Sequence, residues 1–184
     1  MRSTIFLLAV ALFSCRSSSR QWFYDAVNNN FLNIADTNTY RFKSFFAMPG
    51  GLGENYSQNA SFLISVSDSL SSDKAIDEAV SDLVKDNIDF AEVVNHPYYL
   101  GKLDLVRINN TGQFRIVSDG GRKPIDSARL VGKLCFSNAY IFEDKAILSY
   151  TKSVSQKAGA TYILLVKKVG GKWKQQLGKV VKRW

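Results

Sequence analysis

Histidine, cysteine and proline are scarce in this sequence of 184 residues, which contains one histidine, two cysteines and three prolines. A single histidine excludes multi-histidine metal centres, and two cysteines cannot supply a classical zinc site or a disulfide framework. No apolar run reaches the roughly 18 residues of a membrane-spanning helix, which excludes a polytopic membrane protein. Hydrophobic residues make up 46% of the chain and charged residues 22%. These proportions exclude disordered and collagen-like chains and predict one globular domain.

The first fifteen residues have the pattern of an export signal. Arg2 supplies a basic start, and nine uninterrupted apolar residues run from Ile5 to Phe13. That run is too short to cross ~30 Å of hydrocarbon as a helix. The sequence Leu12-Phe13-Ser14-Cys15 then resembles the lipobox of bacterial lipoproteins, in which the signal is cut before the cysteine and the thiol carries lipid. The resemblance implies lipidation of Cys15, a membrane anchor and a location in the bacterial cell envelope.

These signals divide the chain into a signal peptide at residues 1–14, a lipidated cysteine and tether at 15–20, and a single domain at 21–184. Several acyl chains anchor a protein stably, because each buried CH₂ contributes ~0.8 kcal/mol. The alternative is an ordinary secretory signal cut between Cys15 and Ser19, which would release a soluble secreted protein.

Two helices are predicted in the first half of the domain. The first covers residues 20–36, where apolar side chains recur every three or four residues at Phe23, Val27, Phe31 and Ile34. The second starts after the cap residues Ser71, Ser72 and Asp73 and has an apolar stripe and an acidic opposite face. Its stripe comprises Ile76, Ala79, Val80, Leu83 and Val84. Strands are predicted at 40–46 and at 62–66.

The second half alternates as strands do. We predict an antiparallel meander with strands at 98–108, 114–117, 128–137, 145–153, 160–168 and 172–184. A β-bulge near Gly178 would bring Trp173, Leu177, Val180 and Trp184 to one side of the last strand. The expected fold is therefore α+β, with the curved antiparallel sheet of the C-terminal meander packed on two N-terminal helices.

The closing strands resemble the last meander of small bacterial envelope proteins of unknown function and of NTF2-like domains. The segments that carry the resemblance are Phe136-Ser137, Asp144–Leu148, Gly159, Tyr162–Leu165, Lys167-Lys168 and Gly170–Lys174. It covers about 50 residues and implies an NTF2-like or cystatin-like fold. No activity is carried over from it.

Basic residues concentrate near the C-terminus. Residues 16–100 have a net charge of −5, whereas residues 101–184 have a net charge of +12. Seven residues form what we call the basic C-terminal set: Lys167, Lys168, Lys172, Lys174, Lys179, Lys182 and Arg183. Three explanations stay open: solubility and edge protection with both tryptophans in the core, attraction to the acidic helix, and an external anionic partner. For such a partner, an envelope location favours anionic lipid, glycan or another envelope protein over nucleic acid.

Catalytic candidates are few. His96 is the one side chain whose ordinary pKa suits acid–base chemistry near neutrality, and it would need Tyr150 and Asp144 beside it. Cys135 lies in a predicted strand, where a buried, inert thiol is the expected state. The glycines at 50–53 and 120–121 match neither a P-loop nor a dinucleotide site, and we expect no cofactor and no metal.

The sequence therefore favours a non-enzymatic, lipid-anchored envelope protein that binds a ligand or partner in the concavity of its curved sheet. A small NTF2-like cavity enzyme, a hydrolase or isomerase using His96, is the alternative. Convergence of His96 with a carboxylate or tyrosine in one pocket would distinguish the enzyme from the binding protein.

Overall fold

The computed structural model describes residues 2–35, 62–98, 101–112, 114–120, 130–155 and 157–184, with side chains from Ser19 onward. The strand predicted at 40–46 lies outside this range. The helices are α1 (Arg2–Ala35) and α2 (Lys74–Lys85), and the strands are β1 (Phe62–Val66), β2 (Pro97–Tyr98), β3 (Phe114–Ser118), β4 (Leu130–Phe142), β5 (Lys145–Ser155), β6 (Ala158–Val169) and β7 (Lys172–Arg183).

The strands form one mixed, open, seven-stranded sheet in the order β3-β1-β4-β5-β6-β7, and β2 pairs with β4 beside this path. The last four strands are an antiparallel meander, as predicted. Strand β1 instead runs parallel to both of its neighbours, β3 and β4. The α+β class is confirmed, but the sheet as a whole is not purely antiparallel.

The two helices cover opposite faces of this sheet. Neighbouring residues of a strand point to opposite faces. Leu148 and Leu164 belong to the apolar cluster that contains α1, whereas Ile147 and Ile163 belong to the cluster that contains α2. We call these sides the α1 face and the α2 face. We expected the curved sheet to pack around both helices. The helices instead lie on different faces, because β5 and β6 are apolar on both sides.

Helix α1 packs through the stripe that the sequence predicts. Phe23, Val27, Phe31 and Ile34 are fully buried, and the buried contacts described for α1 begin at Trp22. Residues 15–20, predicted as a tether, are helical and continue α1. None of the helices in the described part of the chain combines the length and apolar character that a membrane-spanning helix needs.

Helix α2 begins at the predicted cap. The Asp73 carboxylate accepts a hydrogen bond from the Ala75 N–H at 2.9 Å. Asn138, which lies at a bulge in β4, accepts from the Asp73 N–H at 2.8 Å and donates to the Asp73 carbonyl at 3.0 Å. The bulge thereby joins the start of α2 to the middle of the sheet.

The strand predicted at 98–108 is wrong for the described residues 101–108. Residues 105–107 form a 3₁₀ turn, whose start is capped by the Asp104 carboxylate. The Asp104 N–H donates to the Tyr24 hydroxyl of α1 at 2.7 Å. Leu103 and Ile108 are buried in the core that contains α1, so their apolar character reflects packing on a helix rather than strand pairing.

Strand β7 has two bulges, and neither is at Gly178. The pairing with β6 skips Gln176 and Val181, whereas Gly178 pairs regularly with Leu164. Leu177 pairs with Leu165 and lies on the α2 face, opposite to the buried Trp173. The predicted common side for the apolar residues of β7 is therefore wrong.

Candidate functional site

An open pocket of about 500 Å³ lies on the α1 face at the end of β5, β6 and β7, and we call it the end pocket. Its lining residues are Lys152, Val154, Ala158, Gly159, Ala160, Tyr162, Arg183 and Trp184. Lys152 and Val154 of β5 are in phase, as are Ala158, Ala160 and Tyr162 of β6, so the pleat aims these side chains at one side. Gly159 is out of phase with them. Helix α1 contacts β7 near the strand's other end, through hydrogen bonds at Trp173 and Gln175.

Lysine 152 forms the positive wall of the end pocket. Its side chain is in phase with Leu148 and Tyr150, which pack in the core, and the residue is only 3% exposed. The ammonium lies 4.7 Å from the centre of the Tyr162 ring, within the range of a cation–π contact. Tyr162 in turn stacks on Tyr150 with ring centres 5.3 Å apart and planes 9° from parallel. The stack holds both the lysine and Tyr162 in place.

Trp184 lines the end pocket beside Gly159. The Trp184 and Gly159 backbones exchange two N–H···O bonds of 3.1 Å, which fix the tryptophan against β6. Its indole lies over Gly159, where an added Cβ would come within 2.6 Å of the ring. Trp184 remains 46% exposed. It is therefore a held but accessible aromatic surface, and the expectation that both tryptophans are in the core is wrong for this residue.

The basic C-terminal set does not form one patch. Pairing with β6 places Lys174, Lys179 and Lys182 on the α2 face with Lys167, whereas Arg183 pairs with Ala160 and lines the end pocket. Most of β7 is exposed, and it is the edge strand next to β6. Lysines on such an edge discourage pairing with other chains.

Acidic residues near α2 account for part of this positive charge. Asp89 forms ion pairs of 3.0 Å with both Lys145 and Lys167. Hydrogen bonds from Lys167 and Lys145 lower the pKa of the Asp89 carboxyl below its ordinary value. The ammonium of Lys85 lowers the pKa of Asp82, with a smaller contribution from Lys179. Attraction within the molecule thus accounts for Lys167 and, in small part, for Lys179 on the α2 face.

His96, Tyr150 and Asp144 do not come together. His96 is exposed and stacks on Phe142 at 4.1 Å, and Phe142 packs on the α2 side of the sheet. Tyr150 is buried on the α1 face. Asp144 lies in the turn before β5, six residues and therefore about 20 Å from Tyr150 along the strand. These three side chains share no pocket.

Cys135 lies half-buried in β4 as a free thiol. Burial raises the pKa of this thiol, and the charge of Lys133 offsets the effect only in part. A raised pKa keeps the thiol protonated and weakly nucleophilic. Across the described residues, no group of three or more His, Cys, Asp or Glu side chains could hold a metal ion. The Cys15 side chain lies outside the described residues, while its backbone belongs to α1.

Sequence reasoning named Arg183 but missed Lys152 and Tyr162 as pocket residues. A signal was present, because Lys152 continues the alternation of Ala146, Leu148 and Tyr150, where an apolar residue is expected. A lysine in phase with core positions indicates a charge enclosed by the fold.

No family model, curated protein or solved structure matches this chain.

Proposed function

We propose that this protein is an exported, lipid-anchored, non-enzymatic binding protein of the bacterial cell envelope, with Cys15 as the site of lipid attachment and the end pocket as the ligand site. The observation that carries the binding role is the convergence of Lys152, Arg183, Tyr162 and Trp184 around one open pocket. Ligand sites commonly combine apolar walls with a few polar groups from different elements.

The geometry favours binding over the alternative of a cavity enzyme. Acid–base catalysis requires a proton acceptor within hydrogen-bond reach of the substrate, directly or through one water. His96 is exposed on the opposite side of the sheet from the end pocket. The described residues that line the pocket are suited to holding a ligand by charge, and no histidine or acidic side chain is among them.

The proposed anchor is compatible with the packing of α1. The described core contacts of this helix begin at Trp22, seven residues after Cys15. A cut before Cys15 would therefore keep all the core contacts that are described for α1. The proposed envelope location rests on the export signal and on the resemblance to a lipobox. At such a location, the exposed Lys and Arg side chains of β7 would lie close to anionic headgroups or glycans.

An NTF2-like or cystatin-like fold also remains a proposal. The antiparallel strands β4 to β7 with α1 across one face support it. The parallel position of β1 and the cover of the other face by α2 are additions to the expected plan.

Metabolic labelling with a palmitate analogue tests the anchor. The wild type should incorporate the label and fractionate with membranes, and Cys15→Ser should lose both properties. Cys135→Ser is the matched control, because it removes the other cysteine and should keep the label. Equal labelling of wild type and Cys15→Ser, or no labelling of either, would overturn the lipid anchor.

A further inference from the structure

We infer that the outer edge of β7 binds an extended acidic peptide, which adds to the sheet as a further strand beside residues 178–183. This interaction surface consists of the backbone edge of β7 and the side chains of its α2 face. It therefore goes beyond the ligand of the end pocket and the lipid anchor proposed above.

The pairing with β6 shows which backbone groups of β7 point outward. Trp184 and Gly159 exchange two N–H···O bonds, so they are a hydrogen-bonded pair of the antiparallel ladder. The neighbouring residue Arg183 then directs its N–H and C=O away from β6. The bulges add residues to β7 only, so the alternation along β6 is unbroken, and Val180 and Gly178 also point outward. We call the outward N–H and C=O groups of Gly178, Val180 and Arg183 the open edge.

Helix α1 covers only the start of this edge strand. The Trp173 N–H donates to Oδ1 of Asn29 at 2.8 Å, and Nδ2 of Asn30 donates to the Trp173 carbonyl at 3.3 Å. These two bonds occupy the outward groups of Trp173, and α1 then ends at Ala35. In the part of the chain that the structure describes, no strand lies beyond β7 and no residue bonds the open edge. The open edge can therefore accept a strand from another molecule.

The charge of β7 favours an acidic strand. Residues 172–184 contain five Lys or Arg side chains and no Asp or Glu. Lys174, Lys179 and Lys182 lie on the α2 face, and none of the ion pairs among the described residues involves them. Asp82 compensates Lys179 only in small part. Carboxylates at alternate positions of an added strand would lie beside these ammonium groups, and opposite charges on neighbouring strands attract.

A second copy of this chain is a poor occupant of the open edge. Pairing of β7 with another β7 would bring basic side chains together, and like charges on neighbouring strands repel. The lysines thus protect the edge from neutral and basic strands, but they do not repel an acidic one. Protection by charge also does not explain why Leu177 and Trp184 are exposed on the same α2 face. An added strand would cover part of this apolar surface.

Titrations of the full chain with three capped peptides of about six residues test the inference. The first peptide alternates Glu and Val, the second alternates Lys and Val, and the third is the acidic peptide with every peptide nitrogen methylated. The readouts are the backbone amide resonances of Gly178, Val180 and Arg183 and their rates of hydrogen exchange. The acidic peptide should shift these resonances in a saturable way and slow their exchange. It should bind about tenfold more tightly than either of the other peptides, which lack the charge or the N–H donors.

Two double variants test the charge of the surface. Lys179→Gln with Lys182→Gln removes two exposed charges from β7, and Lys74→Gln with Lys102→Gln removes two exposed charges elsewhere. The first should weaken binding of the acidic peptide about fivefold, as expected for two exposed charge pairs, and the second less than about twofold. Equal effects of the two double variants would overturn the assignment to β7.

Val180→Pro tests the backbone. Proline removes an outward N–H that the β6–β7 ladder does not use, and edge strands tolerate proline at such positions. This variant should weaken binding of the acidic peptide about tenfold while its thermal unfolding shows that it is folded. The methylated peptide makes the same test from the partner's side, whatever the stability of this variant.

Four outcomes would overturn the inference. The acidic peptide could leave the three amides unchanged, or the methylated peptide could bind as tightly as the acidic one, which would indicate charge without strand addition. Slow exchange of these amides in the free protein would show that the edge is already covered. Slowing that depends on protein concentration would identify a second copy as the occupant. None of these results bears on the end pocket or on the palmitate labelling.

Discussion

Replacing Gly159 with alanine should destabilise the end of the sheet and release Trp184. A Cβ at this position would lie 2.6 Å from Cζ2 of Trp184 and 2.8 Å from the backbone oxygen of Lys152. Both distances are well inside van der Waals contact. The indole is at the end of β7 and can move away, but the carbonyl of Lys152 belongs to the β5–β6 ladder and cannot. Movement of the indole therefore removes the clash with Trp184 but leaves the clash with the Lys152 carbonyl.

The magnitude follows from two opposing effects. Overpacking of this kind typically costs about 1–3 kcal/mol. The smaller backbone freedom of alanine in the unfolded chain returns about 0.4–1 kcal/mol. We therefore expect Gly159→Ala to lower the free energy of unfolding by about 1–2 kcal/mol, which corresponds to a fall in Tm of about 2–8 °C for a domain of this size. Loss of the two backbone hydrogen bonds to Trp184 contributes to this effect.

Urea denaturation and a double-mutant cycle with Trp184→Leu measure the effect. In the Trp184→Leu background, Gly159→Ala should cost less than in the wild type, because the ring clash is gone, yet a residual cost from the Lys152 carbonyl should remain. Gly120→Ala is the control: its nearest contact would be an ordinary 3.6 Å, to the Asp68 carboxylate. If Gly159→Ala were as stable as the wild type, with unchanged Trp184 fluorescence, the position assigned to the indole would be incorrect.

Two further perturbations probe the core and the α2 face. Trp173→Ala should lower the unfolding free energy by about 3–5 kcal/mol, because the side chain is almost fully buried. Trp173→Phe should cost clearly less, since the buried indole N–H has no hydrogen-bond partner among the described residues; equal losses in urea denaturation would contradict this. Asp89→Asn should lower Tm slightly at neutral pH through its lost ion pairs with Lys145 and Lys167. Because the folded pKa of Asp89 is lowered, its contribution is complete above the unfolded value of about 3.9 and disappears as pH falls through the folded value. Wild-type and variant Tm values should therefore converge at acidic pH, and a difference that is independent of pH would refute the assignment.

Local sequence patterns predicted helices and strands well where the buried residues recur with the period of the helix or strand itself. The stripe from Phe23 to Ile34 is buried, Asp73 caps α2, and β1 covers the predicted residues 62–66. Helical periodicity and capping depend on residues three or four positions apart. Both patterns can be recognised in the sequence before any distant contact is known.

Predictions that depended on a partner strand were less successful. Residues 103–108 alternate like a strand, but Asp104 caps a 3₁₀ turn and hydrogen-bonds to Tyr24 of α1. The bulges of β7 at Gln176 and Val181 appear only in its pairing with β6. Register is a property of two strands together, and a shift of one residue moves a side chain to the other face.

The amino-acid sequence by itself determined the helices, the four-strand meander and the excess of positive charge in the second half, because each depends on neighbours along the chain. Only the tertiary structure decided where these positive side chains lie and which of them form ion pairs. Pairing of β5, β6 and β7 places Lys152 and Tyr162 beside Arg183 and Trp184, while Asp89 neutralises Lys167 on the other face. These contacts join residues far apart in the chain, and their positions depend on strand register and on the face that each helix covers.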